Sequence, residues 1–243
     1  MSDLANDFRH HLMPFTANQD FAEAPRLVSE GKGIRLKKAN GGAVIDAVSG
    51  LFCTPAGLGR TEIADAVYEQ LRTLSYVTSF QHGHGKSFEL ASRIAALTSG
   101  DLDHLFFTNS GSEAVETALK IALAYQTAKG EPGRTRLVGR EKAYHGVNFG
   151  GLSVGGIVRN KHGFSLSLPG VVHMRHTWLE ENRFSRGQPE TGAELADDLQ
   201  RFCDTYGANA IAACIVEPVA GSIGCLPPPT GYLERLREIC TQN

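Results

Sequence analysis

Three short stretches of the chain bring together residue types that do chemistry. The first is Phe106-Phe107-Thr108-Asn109-Ser110-Gly111-Ser112-Glu113, where an apolar run gives way to a helical pattern. Amides in the first turn of a helix lack intrahelical acceptors and carry partial positive charge, so a phosphate fits there. Gly111 lets the backbone approach such an anion closely, and Ser110 and Ser112 add hydroxyl donors. The same residues also suit a plain helix start, because Ser110 and Glu113 have capping-box spacing. The second stretch is Lys142-Ala143-Tyr144-His145-Gly146. A tyrosine at the carboxyl end of a strand can lie flat against a planar ring, or can simply pack between helices. His145 suits a hydrogen-bonded structural position as well as acid–base work. The third is Ile215-Val216-Glu217-Pro218, which puts a carboxylate at the end of an apolar strand, where α/β folds bind ligands. Its plain alternative is a strand-end glutamate reaching solvent.

Other chemistries fit less well. A dinucleotide site wants G-x-G-x-x-G, and the turn after Phe107 holds a single glycine. The Walker A pattern is missing too. His82, His84 and His104 lack metal-ligand spacing and the scattered cysteines complete no set, so no metal site is expected.

The elements that must position these residues follow from periodicity. Ile34–Lys37 and Val44–Val48 flank Asn40-Gly41-Gly42 and predict a β-hairpin. Ile63, Ala66, Val67, Leu71 and Leu74 form one helical stripe, and a second helix fits 87–98 with Gly100 as its stop. From there short apolar runs alternate with helical patterns. Strands are expected at 105–107, 136–138, 171–174 and 211–216. Helices are expected at 112–128, at 191–206 with a Thr191/Glu194 capping box, and at 231–240. The first twenty residues show no sustained period and predict irregular structure. The fold class is therefore α/β, a mainly parallel sheet with helices on both faces. A crossover helix normally feeds a further strand, so the pattern reads as a sheet incomplete at the C-terminus, after Asn243.

Composition bounds the rest. The 243 residues carry 24 Lys+Arg against 26 Asp+Glu and are 42% hydrophobic, which fits a globular chain with a core. The near-neutral balance argues against a nucleic-acid partner. No run approaches the ~20 apolar residues of a membrane span. Met1 to His11 is polar, so no secretory signal is expected. Five cysteines without a CxxC pair fit reduced thiols and a cytoplasmic protein.

Taken in order, Ser110-Gly111-Ser112, Tyr144-His145-Gly146 and Glu217-Pro218 resemble the class III pyridoxal-phosphate aminotransferases of fold type I. The resemblance is strongest to the ω-amino acid–pyruvate (β-alanine–pyruvate) branch. It extends through Met13-Pro14-Phe15-Thr16-Ala17-Asn18, Asp46-Ala47-Val48-Ser49-Gly50-Leu51, Gly139-Arg140 to Asn148, and Gly231-Tyr232 to Cys240. It covers nearly the whole chain from about His11.

That resemblance implies a division into residues 1–60, an N-terminal small-domain segment with the hairpin, and 61–243, part of the large cofactor domain. It implies pyridoxal 5'-phosphate as cofactor, with Gly111 and Ser112 on its phosphate and Ser110 shaping the turn. Tyr144 would stack on the ring, His145 would support it, and Glu217 would lie beneath it. Phe15, Phe52 and Phe80 would line an aromatic substrate pocket near a subunit interface, in a homodimer or higher homo-oligomer. The family often has tryptophan where Phe52 aligns. The implied reaction moves an amino group from an ω-amino acid or amine to pyruvate. Ornithine or 4-aminobutyrate transamination and aminomutase chemistry are sister possibilities within the family. The family's Schiff-base lysine and ring-nitrogen aspartate match positions beyond Asn243, so no catalytic lysine is expected within this chain and the chain alone is expected to be inactive. The alternative from another class is a non-catalytic chain that acts only by associating with a partner subunit.

Overall fold

The computed structural model describes residues 8–164 and 167–243, in two compact units, 1–104 and 105–243. The expectation for the first twenty residues falls partly outside the described ones. Inside them, a 3-10 turn at Phe8–His10 and helix α1 (Asn18–Glu23) replace the expected irregular course. Asn18 ties that corner, accepting from the Met13 amide at 2.9 Å and donating to the Met13 carbonyl at 3.0 Å.

The first unit continues with three strands, β1 (Val28–Lys32), β2 (Arg35–Lys38) and β3 (Ala43–Ile45), paired antiparallel in that order. Gly41 and Gly42 supply the positive φ angles of the β2–β3 turn, at 93° and 79°. Helices α2 (Thr61–Thr73) and α3 (Gly85–Ala95) follow. The unit boundary at 104/105 thus keeps both helices with the hairpin, whereas the family-based division falls at 60/61. His84 is explained structurally: its Nδ1 accepts from the Lys86 amide and caps α3.

In the second unit, α4 (Gly111–Ala128) leads to β4 (Arg136–Arg140), α5 (Phe149–Val154), α6 (Val158–Lys161) and β5 (Val172–Met174). Then come α7 (Asp197–Tyr206), β6 (Ile211–Cys214) and α8 (Tyr232–Gln242). The strands lie in the order β5-β4-β6, both pairings parallel. Successive strand residues point to opposite faces. Leu137 and Ala212 face Leu119 of α4 and Val154 of α5. Val138 and Ile211 face Leu199 of α7 and Tyr232, Leu236 and Ile239 of α8. Helices therefore cover both faces, as a parallel sheet requires. The α5 and α7 crossovers run on opposite faces, which lets the chain pass from β4 to β5 and back across to β6 with one handedness.

Two expectations fail. Residues 105–107 form no strand, and Phe106 and Phe107 are 69% and 48% exposed rather than buried. Apolar extended residues become a strand only when a neighbour pairs with their backbone, and no described strand does so there. The 191–206 helix begins late, because Thr191 Oγ1 turns to Glu181 Oε1 at 2.8 Å instead of capping. A 3-10 turn at Ala193–Ala196 intervenes before α7. No helix among the described residues is long and apolar enough to cross a membrane.

Candidate functional site

The three chemical stretches all lie in the second unit, at the starts of helices or the ends of strands. Ser110 is the N-cap of α4, with backbone extended and Oγ accepting from the Glu113 amide at 3.1 Å. Glu113 reaches back one residue further than a standard box: its Oε2 accepts from the Asn109 amide at 2.9 Å and from Asn109 Nδ2 at 3.2 Å. The caps so formed leave the Gly111 and Ser112 amides without acceptors among the described residues.

Ser112 joins this turn to the second stretch. Its Oγ accepts from the Val147 amide at 3.0 Å. Gly146 lies directly against it with φ +99°, and a Cβ there would come within 2.6 Å of Ser112 Oγ and 2.8 Å of its Cα. One turn along α4, Glu116 Oε1 accepts from the Gly150 amide at 2.9 Å. The start of α4 and the loop after β4 are therefore stitched together by side chains from one helix face, four residues apart.

That loop is tightly folded. Lys142 takes a left-handed φ of +61°, and its amide bonds the Gly156 carbonyl at 3.0 Å. The segment can close because Gly139, Gly151 and Gly156 sit where a Cβ would strike backbone atoms of Val154, His145 and Arg140. Tyr144 is half-buried and His145 buried. Burial, then the nearby Arg140 and His173, hold the His145 imidazole down at about 4, so it is neutral at pH 7. Its Nε2 is buried without a partner.

Glu217 arrives on the neighbouring strand. The Ile215 amide extends the ladder by bonding the Val138 carbonyl at 2.9 Å, which carries Glu217 to the end of β4. There Arg140 Nη2 donates to the Glu217 carbonyl at 2.9 Å and stands 3.9 Å from its Oε2. Burial raises the Glu217 carboxyl above the usual range, while the Tyr144 amide and the Arg140 guanidinium pull against that rise. Glu217 Oε2 is buried and makes no hydrogen bond. Free helix-start amides, a serine hydroxyl, a half-buried tyrosine and an unsatisfied carboxylate form a donor and acceptor set suited to a small anionic group carrying a polar ring.

Sequence patterns passed over two contributors, Glu116 and Arg140. Arg140 had a signal, a charged residue closing the apolar run Leu137-Val138-Gly139; Glu116 had none beyond its helical spacing from Ser112. The cysteines, scattered in sequence, partly converge in space. Cys203, Cys214 and Cys240 line one cavity of about 100 Å³. Burial pushes Cys214 up to about 12 and raises the other two, so they are thiols rather than thiolate ligands. Among the described residues no group of three or more His, Cys, Asp or Glu could hold a metal. Phe15, Phe52 and Phe80 lie in the first unit and are largely exposed.

The family model for aminotransferase class-III matches residues 16–243. The chain belongs to the class III aminotransferases. Among curated members, it is 51% identical over 240 residues to the omega-aminotransferase of Caulobacter vibrioides, covering 98% of this chain and 55% of that protein. It is 48% identical to the beta-alanine–pyruvate aminotransferase of Pseudomonas aeruginosa, covering 98% and 53%. Its fold matches an (S)-enantioselective omega-transaminase from Thermomicrobium roseum with a TM-score of 0.90 at 35% identity, covering 98% and 54%. An omega transaminase from Pseudomonas jessenii in complex with PMP matches equally, at 0.90 and 31%, over 100% and 54%. The aminotransferase chain thus spans about half the length of the curated relatives it matches. Its fold is the α/β architecture of these fold type I transaminases.

Proposed function

We propose that this chain is the N-terminal part of an enzyme that transfers an amino group from an ω-amino acid or amine to pyruvate, with pyridoxal 5'-phosphate as cofactor. The observation that carries this is the Ser112–Val147 bond, which joins the free-amide turn of α4 to the Tyr144–Gly146 loop beside Glu217. In this reading the Gly111 and Ser112 amides and the Ser112 hydroxyl hold the phosphate, with Ser110 fixing the turn. Tyr144 packs on the ring, and His145, uncharged at pH 7, buttresses it without adding a second positive charge. Glu217 accepts a hydrogen bond beneath the ring through its unsatisfied Oε2. Bound there, pyridoxal phosphate supplies the electron-withdrawing ring that transamination needs. Phe15, Phe52 and Phe80 are assigned to the substrate pocket. Residues 1–60 are assigned to the small domain and 61–243 to the large one, in a cytoplasmic homodimer or larger homo-oligomer. The 48% identical beta-alanine–pyruvate enzyme supports the choice of donor and acceptor, and the 51% identical omega-aminotransferase supports the class of donor.

In this reading the catalytic lysine is not supplied by this chain; Lys120 is exposed on α4, and Lys142 is exposed with its ammonium 6.0 Å from the Trp178 ring. The 243-residue chain alone is therefore expected to form no alanine from pyruvate with β-alanine or a terminal amine as donor. A protein that continues past Asn243 through the remaining half of the family's length is expected to form it. Pyruvate-dependent loss of amine with the purified chain would sink the inactivity, and its lack in the longer protein would sink the assignment itself.

A further inference from the structure

We propose that Arg140 is a positioning residue: its guanidinium fixes where the Glu217 carboxylate sits, and its buried charge sets the electrostatics around Glu217 and His145. The inference rests on the reading that Glu217 and His145 flank the cofactor ring. Arg140 is the last residue of β4 and is only 2% exposed. One nitrogen, Nη2, reaches Glu217 twice, donating to its carbonyl at 2.9 Å and facing its carboxylate at 3.9 Å. The guanidinium carbon stands 5.8 Å from the centre of the Tyr232 ring, so α8 closes the site from the sheet's other side.

An arginine stays charged at any working pH, and a buried charge without a counter-charge is strongly unfavourable. Among the described residues Glu217 is the carboxylate ion-paired to Arg140. The pair is also incomplete, because Arg140 Nη1 and Glu217 Oε2 are each buried without a hydrogen bond, as is His145 Nε2. Unsatisfied polar atoms therefore lie on both members of a pair built on one fixed positive charge. The charge acts in opposite ways on its neighbours: it favours the ionised form of Glu217 and the neutral form of His145. The other titratable groups it faces are Tyr232, Cys214 and His176, with His173 acting on His145 and Asp198 on Tyr232.

The test reads the two titrations directly in the 243-residue chain, without cofactor. Carboxyl-labelled glutamate and ring-labelled histidine are followed by NMR across pH in the parent, Arg140→Met, Arg140→Gln and Arg140→Lys. Glu217→Gln and His145→Asn assign the signals. Removing the charge is expected to raise both midpoints, each by about one pH unit or more, a tenfold change in proton affinity. Arg140→Lys is expected to restore most of both shifts. A role in packing alone predicts something different. Loosening the site would let water in, and Glu217 would then fall toward the ordinary carboxylate value of ~4.3 while His145 rises. That fall, or midpoints unmoved in either neutral variant, overturns the proposal. Should Arg140→Met not fold, Arg140→Gln keeps a donor for the Glu217 carbonyl and carries the same prediction. Since no pyridoxal phosphate is present, a failure here stays separate from a failure of the cofactor assignment.

Discussion

Ser112 has a structural part, since its oxygen is the acceptor that holds the following loop against α4. The contact demands glycine at 146 for two independent reasons, the left-handed φ of +99° and the closeness of Ser112. Gly146→Ala is expected to destabilise the chain by about 2–4 kcal/mol, combining backbone strain with overpacking. Urea unfolding followed by circular dichroism checks this, and an unchanged midpoint would show that the loop relaxes freely. Much of this site was legible in sequence: the Ser-Gly-Ser turn, Tyr144, His145 and Glu217 were all singled out by type and position. The partner of each was not. No local pattern says that a serine at 112 accepts from an amide at 147, because that pairing depends on where two distant segments meet.

At the scale of elements, polar side chains rather than loops fix how the strands and helices of the second unit are joined. Asp198, buried at the start of α7, accepts from the Arg175 backbone amide at 2.8 Å and from its Nε and Nη2, each at 2.9 Å. Burial raises the Asp198 carboxyl, but these bonds outweigh that and hold it below the usual range. They clamp the end of β5 to α7. Arg134 does the same work at the opposite end, donating to the Ala208 carbonyl at 2.8 Å and the Asn243 carbonyl at 3.1 Å. Asp198→Ala leaves the Arg175 amide and one edge of its guanidinium without their acceptor. The expected loss is roughly 2–3 kcal/mol, discounted because Arg175 remains half-exposed. Thermal unfolding of the variant measures it, and a loss under half a kilocalorie would mean that water replaces the clamp. Periodicity recovered α4, β4, β5, β6 and α8 within a few residues, since each has a face to bury. It failed at 105–107 and at Thr191, where the outcome depended on a pairing strand and on a competing acceptor, Glu181.

For the whole molecule, the two units differ in how much they bury. No described residue of the first unit is fully buried, and α2 leaves Ile63, Val67, Leu71 and Leu74 exposed along its predicted stripe. Phe15, Phe52 and Phe80 are 81%, 76% and 86% exposed. Large uncovered apolar surface marks sites where other protein docks, or else causes aggregation. The isolated chain is therefore expected to sediment as a dimer or larger species and to bind an apolar fluorescent dye. A single monomeric boundary without dye binding would contradict this and would count against the oligomeric assignment too.

The sequence by itself determined the class of fold and the family, and it singled out the residues of the candidate site. These follow from periodicity and from short motifs, which are properties of neighbouring residues. Tertiary structure alone decided which side chains those motifs answer to. Ser112 with Val147, Glu116 with Gly150, and Arg140 with Glu217 are pairs separated by 34 to 77 residues. It also decided that Phe106 and Phe107, apolar enough for a buried strand, stay exposed. Hydrophobicity states what a residue would gain by burial, and only the folded arrangement states whether anything is there to bury it.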